Sequence, residues 1–504
     1  MNDIQSECGG LTMGISIKKE NALFALGVFV FAMIFFLFIH PIIILDADDW
    51  AFLSNRRTIF PEWGAWNPSR VLPEILMPLS SAIGRYVIMP INGDYLRSIE
   101  ISYAIVISLV FAVYVMCFKR LINIVSGSDN NRTILISILF IVFHFWVYRS
   151  KDSGNQHLLY SKDATRYFFY TIPNLINASL VMLFISEGLL DFFAKKGNYL
   201  KKGAIITLIY FCIFSNLYPS VILMAFIGKT LIDEMIQLIK RKKTLLIILK
   251  ERWICLFTVI LWIISLIYET SGGRAESFSE GFELRETAKI LYHGKEELNG
   301  WCVGVIIVTI LFALAYMMLD RKNRDKKETL ELKKVTVGCV ECILISGMFC
   351  YVMCSRTKPQ DITRSDILYS SFLYLFIWFF VALVFLTDRI ASIKMIIPVG
   401  LAFAIFSSVN GTDVYLEPNM LNISGDRCRE ISQYVIDSVV EAENNGESEV
   451  VLKVPYINGG KNWPFESHIE WAASRSLYTH GITKNKIKIK TQPDKSINGL
   501  FDMK

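Results

Sequence analysis

The chain has 504 residues, 53% hydrophobic and 13% aromatic, and a mean hydropathy of +0.42, values that exclude an ordinary soluble globular domain and fit a polytopic membrane protein. The formal net charge of +6 is too small and dispersed for a nucleic-acid partner, which leaves Lys and Arg as topological signals. The ten Cys lie mostly in apolar segments, without zinc or secreted-scaffold spacing, and read as small core residues.

Residues 1–21 are polar, with Lys18 and Lys19 ahead of an apolar run from Ala22 to Leu45. That run is longer than a signal-peptide core and no small-residue cleavage site follows it, so it predicts a retained signal anchor with a cytoplasmic N-terminus. Further apolar stretches near 101–118, 133–149, 168–190, 203–217, 219–239, 244–268, 300–319, 335–353, 367–387 and 395–409 bring the total to about eleven crossings in a transmembrane domain of residues 22–409. Counting alternately, every basic cluster falls on one side: Lys119-Arg120, Lys195-Lys196 with Lys201-Lys202, Lys240 to Lys243, the Arg321–Lys334 run, and Arg389 with Lys394. The positive-inside rule makes that side cytoplasmic.

The first extracytoplasmic loop is then residues 46–100. It holds Trp50, Trp63 and Trp66, then Arg70-Val71-Leu72-Pro73-Glu74-Ile75-Leu76-Met77-Pro78-Leu79, whose Pro and Arg interruptions predict an amphipathic segment lying in the interface rather than a crossing. The tryptophans suit an interfacial aromatic belt, with sugar stacking the sharper alternative. Residues 410–504 change character: helical spacing over Asp426–Asn445, a β-rich run at Glu449–Val454, a second helix over 467–480 and alternation at Lys486–Lys490 predict a small extracytoplasmic α/β domain.

The most concentrated charge at a membrane edge is Asp46-Ala47-Asp48-Asp49-Trp50, directly after the first apolar run. A carboxylate inside hydrocarbon costs several kcal/mol, so the cluster belongs where the helix meets water. It reads either as a solvated helix end or as a functional group of acids, and Asp46, Asp48 and Asp49 together form a candidate site for Mg²⁺ or Mn²⁺. On the same side stand Glu269-Thr270-Ser271-Gly272-Gly273-Arg274, the group Arg356, Lys358, Arg364 and Asp366, and the group His157, Lys162, Asp163, Arg166 and Tyr167. A guanidinium offers a planar fork to phosphate oxygens, which makes Arg274, Arg356 and Arg364 candidates to hold a lipid phosphate; lipid snorkelling is the alternative for each alone. The Gly pair lacks a preceding strand and carries no nucleotide-binding signature.

Asp48-Asp49-Trp50 after the first helix, Trp66-Asn67-Pro68-Ser69-Arg70, Gly272-Gly273-Arg274, and a polar C-terminal region with Trp463-Pro464 and Leu477-Tyr478 together resemble the GT-C superfamily of membrane glycosyltransferases, particularly bacterial members related to O-antigen glucosyltransferases. The resemblance in architecture covers the whole chain and the motifs about a tenth of it. It implies a GT-C-like fold, a catalytic Asp in the first extracytoplasmic loop and a polyprenyl-phosphate-linked sugar as donor. Such families carry an Asp or Asp-Asp in that loop; here the acidic motif is followed by Trp50 rather than a further charged residue, and some relatives carry Asn-Gly-Arg where this chain has Asn67-Pro68-Ser69-Arg70.

Residue chemistry fits that expectation. Inverting transfer needs a carboxylate to take the acceptor hydroxyl proton and a cation to stabilise the departing phosphate. Asp48 or Asp49 suits the first role; Arg274 and Arg364, then Arg70, suit the second, with Trp50 and Trp66 as stacking surfaces for sugar. The partners expected are a polyprenyl-phosphate-linked sugar donor, a glycan or glycolipid acceptor and the lipid bilayer of the bacterial cytoplasmic membrane, with no nucleic acid. The alternatives are a transporter or flippase for lipid-linked oligosaccharides, with His144 and Glu341 as its mid-membrane ionisable groups, a polymerase of the same glycans, or a membrane scaffold.

Overall fold

The computed structural model describes residues 19–55, 57–127, 130–148, 157–159, 161, 163–240, 244–277, 281–319, 327–390, 400–401, 404, 424–456 and 468–501. The expected crossing at 395–409, Lys162, Lys394 and Trp463-Pro464 lie wholly or mostly outside these residues.

Eight helical stretches among the described residues are long and apolar enough to cross a membrane: Lys19–Ile39, Val71–Asn92, Tyr95–Val125, Ala164–Ser186, Trp253–Thr270, Gly300–Leu319, Thr329–Arg356 and Pro359–Arg389. The chain is a polytopic helical membrane protein. Asn130–Trp146 is apolar but shorter, Tyr199–Ile213 has only 15 residues, and Leu217–Ile239 carries Lys229, Asp233 and Glu234 along its length.

Two helices differ in extent from the stretches read in the sequence. The first helix stops at Ile39 because His40 precedes Pro41 and takes φ −131°, ψ 76°, the extended bias that proline imposes on its neighbour. Residues 41–45 then run without helix, Ile42 to Leu45 buried, up to Asp46. The stretch from Val71 is a continuous helix that its two prolines do not break. Pro73 falls in its first turn, where an amide has no intrahelical acceptor to lose. Pro78 lies inside the helix, and Ser81 Oγ donates to its carbonyl at 2.9 Å.

Tyr95–Val125, Ala164–Ser186 and Pro359–Arg389 are the most buried of the eight and form the interior. Aromatic packing joins them, Tyr103 against Phe168 at 4.7 Å and Phe118 against Phe380 at 5.3 Å, and adds the shorter helix Asn130–Trp146 through Phe140 stacked on Phe118 at 3.7 Å and Phe143 on Phe379 at 4.9 Å. His144 belongs to this core. Its Nε2 meets the Tyr114 hydroxyl at 2.9 Å and its Nδ1 the Phe140 carbonyl at 2.7 Å, so both ring nitrogens are satisfied within the packing.

In the C-terminal segment a helix Gly425–Asn444 leads to β1 (Glu449–Pro455), a helix His468–Thr479 and β2 (Lys488–Asp494). β1 and β2 pair in parallel, Glu449 opposite Lys488 through Pro455 opposite Asp494. A parallel pair requires a crossover, which the intervening helix supplies. This segment docks on the membrane helices through Arg429, whose Nη2 lies 2.9 Å from Glu100, and through Arg85, whose Nε donates to the His480 carbonyl at 2.7 Å.

Candidate functional site

The acidic motif forms a short helix, Ala47–Phe52, and the local chemistry explains why. Asp46 at the N-cap accepts from the Asp48 amide at 2.9 Å, while Asp49 Oδ2 reaches back to the Leu45 and Asp46 amides, each at 3.2 Å. This is a reciprocal capping box, which satisfies amides that a helix start leaves without partners. Asp49 Oδ1 accepts both the amide and the hydroxyl of Thr165 at 2.7 Å. One fully buried carboxylate therefore ties the start of this helix to the turn that opens Ala164–Ser186. Burial, with Asp163 and Asp46 nearby, pushes the Asp49 carboxyl above the usual range, and the Thr165 bonds oppose that shift.

The three acids thus divide. Asp46 and Asp49 are occupied with backbone amides, and Asp48 alone is exposed. The expected metal set of Asp46, Asp48 and Asp49 is corrected on this ground, since two members direct oxygens at their own helix start, and among the described residues no group of three His, Cys, Asp or Glu could hold a metal ion. Trp50 is corrected too: it is 0% exposed and closed to a ligand. The helix is held from its far side by the C-terminal segment, where Ser476 Oγ donates to the Trp50 carbonyl at 2.7 Å and Arg475 to that of Ala51 at 2.5 Å.

The glycine pair has a packing role. The Gly273 amide donates to the Ala65 carbonyl at 3.2 Å, and the Gly64 amide to Ser271 Oγ at 3.2 Å. A Cβ on Gly272 would stand 2.6 Å from Pro68, and one on Gly273 2.7 Å from Trp66. Only a residue without a side chain permits this approach. Ser69 adds a hydroxyl bond to Glu269. The two loops, 200 residues apart, are clamped together, and Arg274 is thereby laid over the Trp66 ring at 5.9 Å.

Arg70, which precedes the helix Val71–Ile83, is 7% exposed. Its guanidinium lies 5.8 Å from the ring centres of both Phe169 and Tyr170. Among the described residues it makes no ion pair, and its Nε is buried without a hydrogen-bond partner. Glu74, whose carboxyl the Arg70 charge reaches, is occupied by Arg57 Nη1 and Asn67 Nδ2, each at 2.7 Å. Arg364 covers the Tyr170 ring at 4.6 Å. Its fork, however, is engaged by Asp366 at 3.0 and 2.5 Å, so the expectation that it grips a phosphate gives way to a role in fixing Tyr170. Arg356, the third cation considered for a phosphate, lies 5.8 Å from the Phe282 ring instead.

Electrostatics connect these groups with Asp48. Burial first, then the neighbouring Arg70, pushes Arg274 down to about 10, while Tyr170, Asp48 and Glu269 pull it back up; it stays charged at neutral pH. Asp163 is raised, by burial above all, and Asp48 adds to that rise whereas Arg166 and Arg364 oppose it. Arg274 therefore feels the charges of both Arg70 and Asp48 while it lies over Trp66, and Arg70 and Arg364 share the Tyr170 ring.

Sequence reasoning singled out Asp163 and Arg166 only as members of a charged loop, and passed over Tyr170. That tyrosine sits in a π-helical turn, Tyr167–Thr171, a local widening that recurs at functional positions and has no signature in a run of aromatic residues. No protein-family model, curated protein or solved structure matches the chain.

Proposed function

We propose that the chain is an inverting membrane glycosyltransferase of GT-C-like architecture. In this reading about eleven helices cross the bacterial cytoplasmic membrane, the N-terminus is cytoplasmic, and the C-terminal segment is a small extracytoplasmic α/β domain. The substrate is a polyprenyl-phosphate-linked sugar, and the acceptor an envelope polysaccharide or glycolipid.

The observation that carries this reading is Arg70: a buried guanidinium on two aromatic faces, with no ion pair among the described residues, beside Arg274, which the charge of the motif's one exposed acid, Asp48, also reaches. Two cations this close repel, and an anion relieves them. A phosphate is planar-fork compatible and suits both. Asp48 takes the proton of the acceptor hydroxyl as its oxygen attacks the anomeric carbon. The bond from that carbon to the phosphate oxygen breaks, its electron pair stays on the phosphate, and Arg70 and Arg274 stabilise the charge that builds there. Asp49 positions Asp48 by fixing the start of its helix.

Asp48→Asn tests this directly: sugar transfer from a polyprenyl-phosphate donor in isolated membranes should stop while insertion and expression persist, and unchanged transfer would remove the central assignment. A carrier for lipid-linked glycans is the second reading. It is favoured by one observation, the Lys229–Asp233 pair at 2.5 Å halfway along Leu217–Ile239, with Glu341 of the adjoining helix acted on by both charges.

A further inference from the structure

Where the C-terminal segment meets the membrane helices, the two enclose a cavity of about 330 Å³. None of Asp48, Arg70, Arg274, Arg364 or Tyr170 lines it. One wall is apolar and comes from a single stripe of the helix Val71–Ile83: Ile75, Pro78, Leu79 and Ala82. The facing wall is polar, with Ser54 and Asn55 from the end of the acidic helix and Thr479 and His480 from the C-terminal segment.

The lining also includes Arg57, whose side chain is 2% exposed and 2.7 Å from Glu74. Both residues line the cavity, so its floor is electrically neutral. The Arg57 Nε is nevertheless buried without a hydrogen-bond partner. The other polar groups are held in place: His480 Nδ1 meets the Tyr95 hydroxyl at 2.7 Å, and the Tyr86 hydroxyl donates to the Thr479 carbonyl at 3.2 Å.

The two walls restrict what fits. A free anion would meet Glu74 as well as Arg57 and gains little from a neutral pair. A wholly apolar molecule would take Asn55, the Thr479 hydroxyl and the Arg57–Glu74 pair out of water with nothing in return. A neutral, hydroxyl-rich head group offers acceptors and donors to that wall, and a volume near the lower end of ligand pockets, roughly 300–1,000 Å³, has room for a sugar. The apolar stripe also continues beyond the cavity along a helix able to cross the membrane, where Leu79, Ile83 and Val87 are 55%, 40% and 59% exposed.

We propose that this cavity is a second binding site, which takes the uncharged sugar head group of an amphiphile whose tail lies along Leu79, Ile83 and Val87. The assignment goes beyond sugar transfer and does not depend on it. The test uses the full chain in phosphatidylcholine nanodiscs, free of glycoside detergent, photolabelled with an alkyl β-glucoside that carries a diazirine. Label should map to the peptide holding Ile75–Ala82 or to that holding Thr479-His480, and octyl β-glucoside should compete where octyl phosphate does not. Ala82→Trp, which fills the cavity, and Leu79→Trp, at an exposed position that a larger ring does not overpack, should each cut labelling at least tenfold with the thermal unfolding midpoint retained. Undiminished labelling in both folded variants, label elsewhere in the chain, or equal competition by octyl phosphate would overturn the assignment. A protein that labels as expected yet transfers no sugar would sink the transferase reading alone.

Discussion

Near the two ends of the helix Trp253–Thr270 stand two arginines, Arg252 and Arg70, whose charges are compensated in different ways. At the first end Arg252 is closed off by carboxylates, its Nε 2.8 Å from Glu234 and its Nη1 3.1 Å from Asp191. Those bonds join three helical segments and compensate the guanidinium in full. At the other end Arg70, next to Arg274, rests on the Phe169 and Tyr170 rings and makes no ion pair among the described residues, Glu74 being engaged by Arg57 and Asn67. Aromatic faces can partly compensate a cation, by about 0.5–2 kcal/mol each, and carboxylates compensate more. A fold that can pair Arg252 so fully and leaves Arg70 on rings alone has kept positive charge at one end of this helix, which is what a site for an anionic group requires.

The comparison breaks most sharply at the acids. Asp48→Asn should lower transfer by about 10²–10⁴-fold, the range expected for loss of a general base, without moving the unfolding midpoint. Asp49→Asn should do the reverse in kind: its new amide group faces backbone N–H donors, a mismatch of about 2–3 kcal/mol, seen as a lower thermal midpoint. If Asp49→Asn abolishes transfer in a protein as stable as the wild type, the division of labour between the two acids is wrong.

A smaller effect sharpens the contrast between the arginines. Arg70→Ala should cut transfer by roughly tenfold to a hundredfold, the order of losing one charge-assisted contact in the transition state, and leave stability equal or higher, because a buried cation without an ion pair is removed. Glu234→Gln at the paired end should lower stability by about 2 kcal/mol and spare transfer. Smaller again is Gly273→Ala. Its Cβ would meet Trp66 at 2.7 Å, so the loop should shift at a cost of about 1–3 kcal/mol, with weaker donor binding as Arg274 moves. The smallest effect lies in the C-terminal segment. Asp494 is held down to about 2 by the Ser496 amide and hydroxyl and by Lys453. A depressed carboxyl adds stability above its unfolded value, near 3.8, and loses it as pH falls toward 2. The unfolding midpoint of the C-terminal segment should fall across that window, and Asp494→Asn should flatten the fall.

Much of this was legible beforehand because hydropathy and charge are local properties. Seven of the eight long apolar helices coincide with stretches read from the sequence, and the helices and strands after Gly425 fall within a few residues of their expected places. The extent of the helix Val71–Asn92 was not legible, because its prolines look like breaks in one dimension, whereas Pro73 falls in the first turn and Pro78 is carried inside the helix. The candidate site was legible in residue type alone. Asp48, Arg70 and Arg274 stand out as charges at membrane edges, but Asp48 and Asp49 look alike in sequence and differ wholly in the fold.

The sequence by itself determined that this is a helical membrane protein with charged loops, since the cost of exposing apolar surface to water and of burying charge in lipid is paid residue by residue. Only the tertiary structure decided which charge remains available. Whether a carboxylate or guanidinium is free depends on donors contributed by segments far apart in the chain: Thr165 for Asp49, Asp366 for Arg364, and for Arg70 two aromatic rings and no acid among the described residues. Pairing is a property of the packed molecule, because the partner is chosen by distance in space.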